Sequence, residues 1–175
     1  MKKLSSMPLW ILAILLSFNA PLTAQISKAE IVATGLTCSM CSNAINKQLT
    51  AMTDVDSVGI DLNTNTFTVY LKKNNTVTPK LFKQRVEKAG FFIGSLVLTM
   101  AFDNLKVDNN VAVKKEGYVL IFVETKTKTL TGETKVKVLD KGYITLKEHK
   151  KMAKSLSKLP SYAVENEDDY HLKTL

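Results

Sequence analysis

The sequence is poor in several residue types, and each shortage narrows what the chain can be. It contains two cysteines, two histidines and one arginine among 175 residues. Two cysteines cannot form the several bridges of a disulfide scaffold, nor the four-cysteine set common in closed zinc sites and iron–sulfur clusters. The net charge of +8 comes from lysines spread along the chain singly or in pairs, without a regular pattern of aromatic residues for stacking. This pattern favours solubility over nucleic-acid binding.

Long apolar runs are also scarce, and the one present lies near the amino terminus. Two lysines precede an apolar run from Met7 to Phe18, and the small residue Ala24 follows. This layout is typical of a secretory signal peptide over residues 1–24, whereas a transmembrane helix needs about 20 apolar residues. An uncleaved anchor is the alternative. We expect a periplasmic or secreted protein that is not membrane-embedded after cleavage.

Residues 28–98 show regular alternation between strand and helix patterns. The predicted strands are 28–34, 57–62, 67–72 and 91–98, and the predicted helices are 42–52 and 78–89. Pro79 suits the first position of the second helix, and Gly90 suits its end. The order predicts an α+β, ferredoxin-like βαββαβ domain with two helices on one face of an antiparallel sheet. We assign this domain to residues 25–98.

The pattern changes after residue 98. Strands are predicted near 118–124 and 136–139, and a lysine-rich amphipathic helix over 147–159. We therefore expect a small β-rich accessory domain with a carboxy-terminal helix over residues 99–160. We assign residues 161–175 to an acidic tail, which is expected to be loosely held at residues 165–169. No function is indicated for this part of the chain.

Both cysteines belong to the run Gly-Leu-Thr-Cys-Ser-Met-Cys, in which they are Cys38 and Cys41. The start of a helix favours thiolates, because its backbone N–H groups are unpaired and its dipole is positive. The spacing lets both sulfurs reach one atom, and two thiolates select a soft ion such as Cu(I), with Hg(II) and Zn(II) as alternatives. Thiol–disulfide exchange and a structural disulfide remain open, because the same spacing serves both. Metal binding is favoured, because Ser39 and Met40 are not the residues that redox motifs place between their cysteines.

This segment resembles the heavy-metal-associated domain family, whose signature is Gly-Met-Thr-Cys-x-x-Cys. The matching residues are Gly35, Thr37, Cys38 and Cys41, followed by Ala44, Ile45, Gly90 and Phe91. Leu36 stands where the family has methionine. The resemblance implies that Cys38 and Cys41 bind the metal, that Leu36 is a hydrophobic plug under the loop and that Phe91 covers the site. It also implies that the positive charge of Lys88 partly offsets the negative charge of the two thiolates. An equal alternative is that Lys88 is an ordinary solvated lysine on the helix.

The resemblance implies a carrier that receives a soft ion from one protein and passes it to another, such as a membrane metal transporter. The rival hypothesis is an exported thiol–disulfide oxidoreductase that uses the same cysteines. No nucleophile paired with a base stands out, so we expect the chain not to be an enzyme.

Four further residues are weighed as secondary candidates. His149 and Met152 could hold Cu(I) at i, i+3 spacing, but Met152 also fits the apolar stripe of its helix. His171 is expected to be exposed in the tail, and Met40 to lie at the surface.

Overall fold

The fold is described from a computed structural model, over residues 25–36, 39–115, 117–164 and 166–175. The predicted signal peptide lies outside these residues. The elements are β1 (Ile26–Thr34), α1 (Ser39–Thr50), β2 (Val55–Asp61), β3 (Thr66–Leu71), α2 (Pro79–Lys88), β4 (Phe92–Val107), β5 (Val111–Lys115), β6 (Tyr118–Phe122), β7 (Lys128–Val138), α3 (Leu146–Ser155), α4 (Pro160–Ala163) and β8 (Asp169–Thr174). In these ranges, no helix is both long and apolar enough to cross a membrane.

The first six elements confirm the predicted βαββαβ order. β1 pairs antiparallel with β3 and with β4, and β2 pairs antiparallel with β3. The apolar stripes predicted for the helices are buried, with Ile45 and Leu49 from α1 and Phe82 and Val86 from α2. These side chains share one hydrophobic cluster with the sheet, as expected for two helices packed on one face. The ferredoxin-like arrangement is therefore present.

Strand β4 is longer than predicted. It was expected to end at Leu98, but it continues to Val107. Met100 and Phe102 are buried, and residues 96–107 pair antiparallel with β7, which gives this stretch both a core face and a hydrogen-bonding partner. The boundary placed between residues 98 and 99 thus falls inside a strand, and a single eight-stranded sheet extends through both parts of the chain, in the order β2-β3-β1-β4-β7-β8-β6-β5. The division into two functional units stays a prediction.

The acidic tail assigned to residues 161–175 ends in a strand, β8, that the sequence analysis did not predict. β8 lies inside the sheet, antiparallel to β7 and parallel to β6. Tyr170 and Leu172 alternate toward the main core and are buried. The acidic residues just before this strand concealed its short apolar alternation. The segment is therefore a structural part of the sheet.

A second hydrophobic cluster covers the other side of the later strands. β6 divides its side chains between the two clusters, with Leu120 in the main one and Ile121 in the second, because successive residues of a strand point to opposite faces. Helix α3 contributes Met152 to the second cluster. It begins after Thr145, whose side-chain oxygen accepts a hydrogen bond from the Glu148 backbone N–H at 3.2 Å. The predicted lysine-rich helix is thus present, and it ends at Ser155, earlier than expected.

Candidate metal centre

The cysteine motif spans the connection between β1 and α1. Helix α1 begins at Ser39, three residues before its predicted start, so Cys41 lies in the first helical turn and is half-buried. Cys41 is thus at the amino-terminal end of a helix, where backbone N–H groups and the helix dipole favour a thiolate. Thr37 and Cys38 lie outside the described residues. The prediction that both cysteines bind one ion therefore stays a prediction.

A residue before the cysteines and a residue between them occupy different environments. Leu36 is partly buried and packs against the main hydrophobic core. This contact agrees with the plug role that the family resemblance implies, so leucine fills the place of the usual methionine. Met40 is 81% exposed, as predicted for the variable residue between the cysteines. The loop is thus anchored at Leu36 and open to solvent at Met40.

The loop between α2 and β4 has a well-defined hydrogen-bonded geometry. The Phe91 backbone N–H donates to the Val86 carbonyl at 3.2 Å, and the Gly90 N–H donates to the Glu87 carbonyl at 2.8 Å. This pair of bonds is the Schellman motif, which requires a left-handed residue just after the helix. Gly90 meets the requirement with a φ of +88°. The helix end therefore fixes the direction in which Phe91 leaves α2.

Phe91 meets the cysteine loop at its first residue. Gly35 has a φ of +86°, and a Cβ placed on it would lie 3.8 Å from Phe91 Cδ1. The aromatic ring is partly buried against the main core. Phe91 thus lies beside the loop, as the resemblance implies. Lys88 is exposed on the last turn of α2, which agrees with a solvated lysine.

The secondary metal-ligand candidates are not brought together as a site. Met152 is buried in the second hydrophobic cluster, which confirms its packing role. His149 is half-buried and stacks on Tyr162 with ring centroids 5.8 Å apart. Within the described ranges, no group of three or more histidine, cysteine or acidic side chains is arranged to hold a metal ion.

His171 differs most from its prediction. It is 1% exposed instead of solvated. Its Nδ1 lies 2.6 Å from Asp140 Oδ1, and its Nε2 lies 3.0 Å from Ser161 Oγ. The sequence analysis missed this cluster, because its members are far apart along the chain and meet only when β8 joins the sheet. The alternation of Tyr170 and Leu172 around His171 was the one available signal.

The fold and the loop define a class of protein, a ferredoxin-like domain with a cysteine motif between its first strand and first helix. Residues 31–92 match the family model described as "Heavy-metal-associated domain". Through these residues the chain belongs to the heavy-metal-associated domain family, a family of metal-binding domains.

Several solved structures are similar to this segment. The yeast copper transporter domain Ccc2a, studied in apo and Cu(I) states, is 36% identical, and the match covers 38% of this chain and 90% of that chain with a TM-score of 0.35. A copper form of a CopA variant from Bacillus subtilis is 26% identical, with 40% of this chain and 91% of that chain covered and a TM-score of 0.34. No curated protein sequence matches the chain.

Proposed function

We propose that this protein is an exported carrier of a soft metal ion, that Cys38 and Cys41 bind the ion, and that the ion is Cu(I). The observation that carries the proposal is the placement of Cys41 in the first turn of α1, at a loop that Leu36 anchors to the core and Phe91 adjoins. The family match supports metal binding at this loop. The signal-like sequence of residues 1–24 supports export.

The choice of ion follows from ligand chemistry. Two thiolates without further strong ligands suit a soft ion that accepts low coordination, and Cu(I) is such an ion. Hg(II) has the same preference and is the main competitor. Zn(II) is less suited, because structural zinc sites take four ligands.

The exposure of the loop supports transfer of the ion, not permanent storage. Met40 is exposed and Cys41 is only half-buried, so a partner's thiol can approach the site. The incoming thiolate would bind first, giving a three-coordinate ion, and one cysteine of this chain would then leave. The ion passes between proteins without being released into water.

Exposed apolar side chains beside the loop support docking of a protein partner. Phe92 is 67% exposed, and its carbonyl accepts a hydrogen bond from Thr34 Oγ1 at 3.3 Å, which places it at the end of β1 where the cysteine loop begins. Met40, between the two cysteines, is also exposed. Solvent-exposed apolar residues at a site are typical of interaction surfaces. The expected partner is a metal donor or acceptor, such as a membrane metal transporter.

A titration tests this function. Reduced protein comprising residues 25–175 is titrated with Cu(I), Hg(II) and Zn(II) in the presence of a competing chromophoric chelator, and free thiols are counted. We expect one tightly bound Cu(I), with both thiols protected. Cys38→Ser and Cys41→Ser should each abolish tight binding, whereas the matched control Met40→Ala should retain it.

Two results would change the assignment. Tight one-to-one binding by the double cysteine variant would move the site elsewhere. Robust disulfide formation or isomerisation on a scrambled substrate, lost in Cys38→Ser, would favour the oxidoreductase hypothesis, since carriage of an ion needs no such turnover.

A further inference from the structure

A serine, a histidine and an aspartate lie in one hydrogen-bonded line, away from the cysteine loop. His171 Nδ1 lies 2.6 Å from Asp140 Oδ1, and the His171 backbone N–H donates to Asp140 Oδ2 at 2.7 Å. Ser161 Oγ lies 3.0 Å from His171 Nε2. A carboxylate can only accept, so Asp140 selects the tautomer with the proton on Nδ1. Nε2 is then the acceptor for the Ser161 hydroxyl.

We propose that Ser161, His171 and Asp140 form a second functional site, a nucleophilic serine that hydrolyses small carboxylic esters. The three roles require a nucleophile bonded to a base and a base bonded to an orienting acid, and these three residues meet both conditions. Such a constellation is recognised by geometry, not by the order of its members in the sequence. This inference departs from the expectation that the chain has no enzymatic activity, and it is independent of the metal carrier function.

The surroundings hold the imidazole in a fixed position. His171 is buried on β8 between two neighbouring strands, so its backbone cannot shift without disrupting the sheet. The Tyr162 ring meets the imidazole edge-on with centroids 4.9 Å apart, and the Tyr162 hydroxyl donates to the Leu139 carbonyl at 2.7 Å. Asp140 belongs to the segment that follows β7, and Tyr162 is hydrogen-bonded to the same segment. This segment therefore helps to hold the imidazole in place.

An open cavity gives a substrate access to the serine. Its volume is about 100 Å³, and Ser161, His171 and Lys83 are among the residues that line it. Since a cavity of about 150 Å³ can hold a benzene ring, this one is large enough for an acetyl or similar short acyl group. Lys83 lines the same cavity, with its Nζ 5.8 Å from the centre of the Tyr143 ring, so the cavity wall carries a positive charge.

The reaction needs only ester and water. Ser161 Oγ attacks the ester carbonyl while its proton passes to His171 Nε2. The tetrahedral intermediate then breaks its bond to the leaving alcohol, which takes the proton from Nε2. Water attacks the acyl-serine, gives a proton to Nε2, and the acid leaves as Ser161 regains its hydrogen.

The test uses a fluorophosphonate, which phosphonylates an activated serine and expels fluoride. Folded protein of residues 25–175 carrying Cys38→Ser and Cys41→Ser is labelled and mapped by peptide mass spectrometry, because free thiols would otherwise react with ester probes. We expect one label, on Ser161. Ser161→Ala should abolish it, and the matched control Ser157→Ala, on an exposed serine of the same segment, should retain it.

Variants of the other two residues separate activation from simple exposure. Asp140→Asn and His171→Gln should each slow labelling at least about 100-fold, because they remove the orienting carboxylate or the base. Hydrolysis of p-nitrophenyl acetate should exceed that of the octanoate ester, since the cavity is small. Labelling of Ser161 no faster than of Ser157, or an unchanged rate in a His171→Gln protein that melts cooperatively, would overturn the proposal.

Discussion

Phe91 lies beside Gly35, so that a Cβ added to Gly35 would be in van der Waals contact with Phe91 Cδ1 at 3.8 Å. This proximity brings the turn after α2 next to the start of the cysteine motif. Because the left-handed conformation of Gly90 sets the position of Phe91, the geometry of one loop depends on the other. Substitutions in the second loop should therefore affect the metal site.

The first prediction concerns Gly90. Gly90→Ala should lower the free energy of unfolding by about 1 kcal/mol, because a left-handed φ is unfavourable for a residue with a Cβ. Urea denaturation of the reduced, metal-free protein measures the effect. The control Lys88→Ala, at an exposed position of α2, should change stability by less than about 0.5 kcal/mol. Equal stability of the two variants would contradict the role given to Gly90.

The second prediction concerns the residue under the cysteine loop. Leu36→Ala should destabilise the protein by about 1 to 3 kcal/mol, since it removes apolar volume from a partly buried position, and should weaken Cu(I) binding. Leu36→Met keeps the volume, restores the family residue and should cost less than about 1.5 kcal/mol. Chelator competition and urea titration give both quantities. An Ala variant with unchanged affinity would show that the plug does not support the site.

The third prediction links metal binding to the redox state of the thiols. If Cys38 and Cys41 join in a disulfide, both ligands are lost, so fully oxidised protein should bind no Cu(I) until a reductant is added. Thiol counting before and after reduction, followed by Cu(I) titration, measures this dependence. Tight binding by protein without titratable thiols would contradict the assigned ligands.

The fourth prediction is a pH effect at Glu124. Lys173 Nζ lies 2.8 Å from Glu124 Oε2 and Ser155 Oγ donates to Oε1 at 3.0 Å, and these bonds, chiefly the one to Lys173, hold the pKa of this carboxyl below its ordinary value of 4.5. At acidic pH the carboxyl of Glu124 is therefore protonated more readily in the unfolded state than in the folded state. The stability that Glu124 contributes is present above about pH 4.5 and is lost as the pH falls through the lowered folded pKa.

Glu124→Gln tests this effect, because glutamine cannot ionise. The variant should be less stable near neutral pH, and the difference from the unsubstituted protein should shrink in acid. Urea titrations across this pH range measure it. A difference that stays constant with pH would rule out Glu124 as a source of acid sensitivity.

The fifth prediction concerns the fragment of residues 25–98. It retains both cysteines and the neighbouring residues Gly35 and Phe91, so its Cu(I) affinity should match that of residues 25–175 within tenfold, or about 1.4 kcal/mol. Its stability should be lower, because β4 loses its pairing with β7 and becomes an exposed edge. Thermal unfolding and light scattering compare the two proteins. A greater loss of affinity would show that the later strands help to build the metal site.

The sequence predicted the metal-binding part well because its signals are local. The stripes of α1 and α2 and the alternation of the early strands can be read within a few residues, and Gly90 marks a helix end by its own conformation. The extension of β4 depends on a distant partner, β7, which no local pattern identifies. The length of β4 was therefore underestimated.

The second site could not be predicted for the same reason. Asp140 and His171 are 31 residues apart, and Ser161 and His171 are 10 apart, with no motif linking them. Their meeting depends on the insertion of β8, a short strand that follows an acidic run. The burial of His171 cannot be predicted from its polar segment alone, because it results from the pairing of β8 with β6 and β7.

The interior position of β8 affects the order in which the strands can pair during folding. β8 follows the other seven strands in the chain, yet in the described sheet it is the strand that connects the β5–β6 hairpin to β7. As the chain folds, β1 to β4 can pair among themselves, but the hairpin has to wait for β8 before it can join them. Pairing between residues distant in sequence is slow, so this wait leaves apolar strand edges open to chaperones and proteases. The ferredoxin-like part is therefore expected to fold before the later strands are protected.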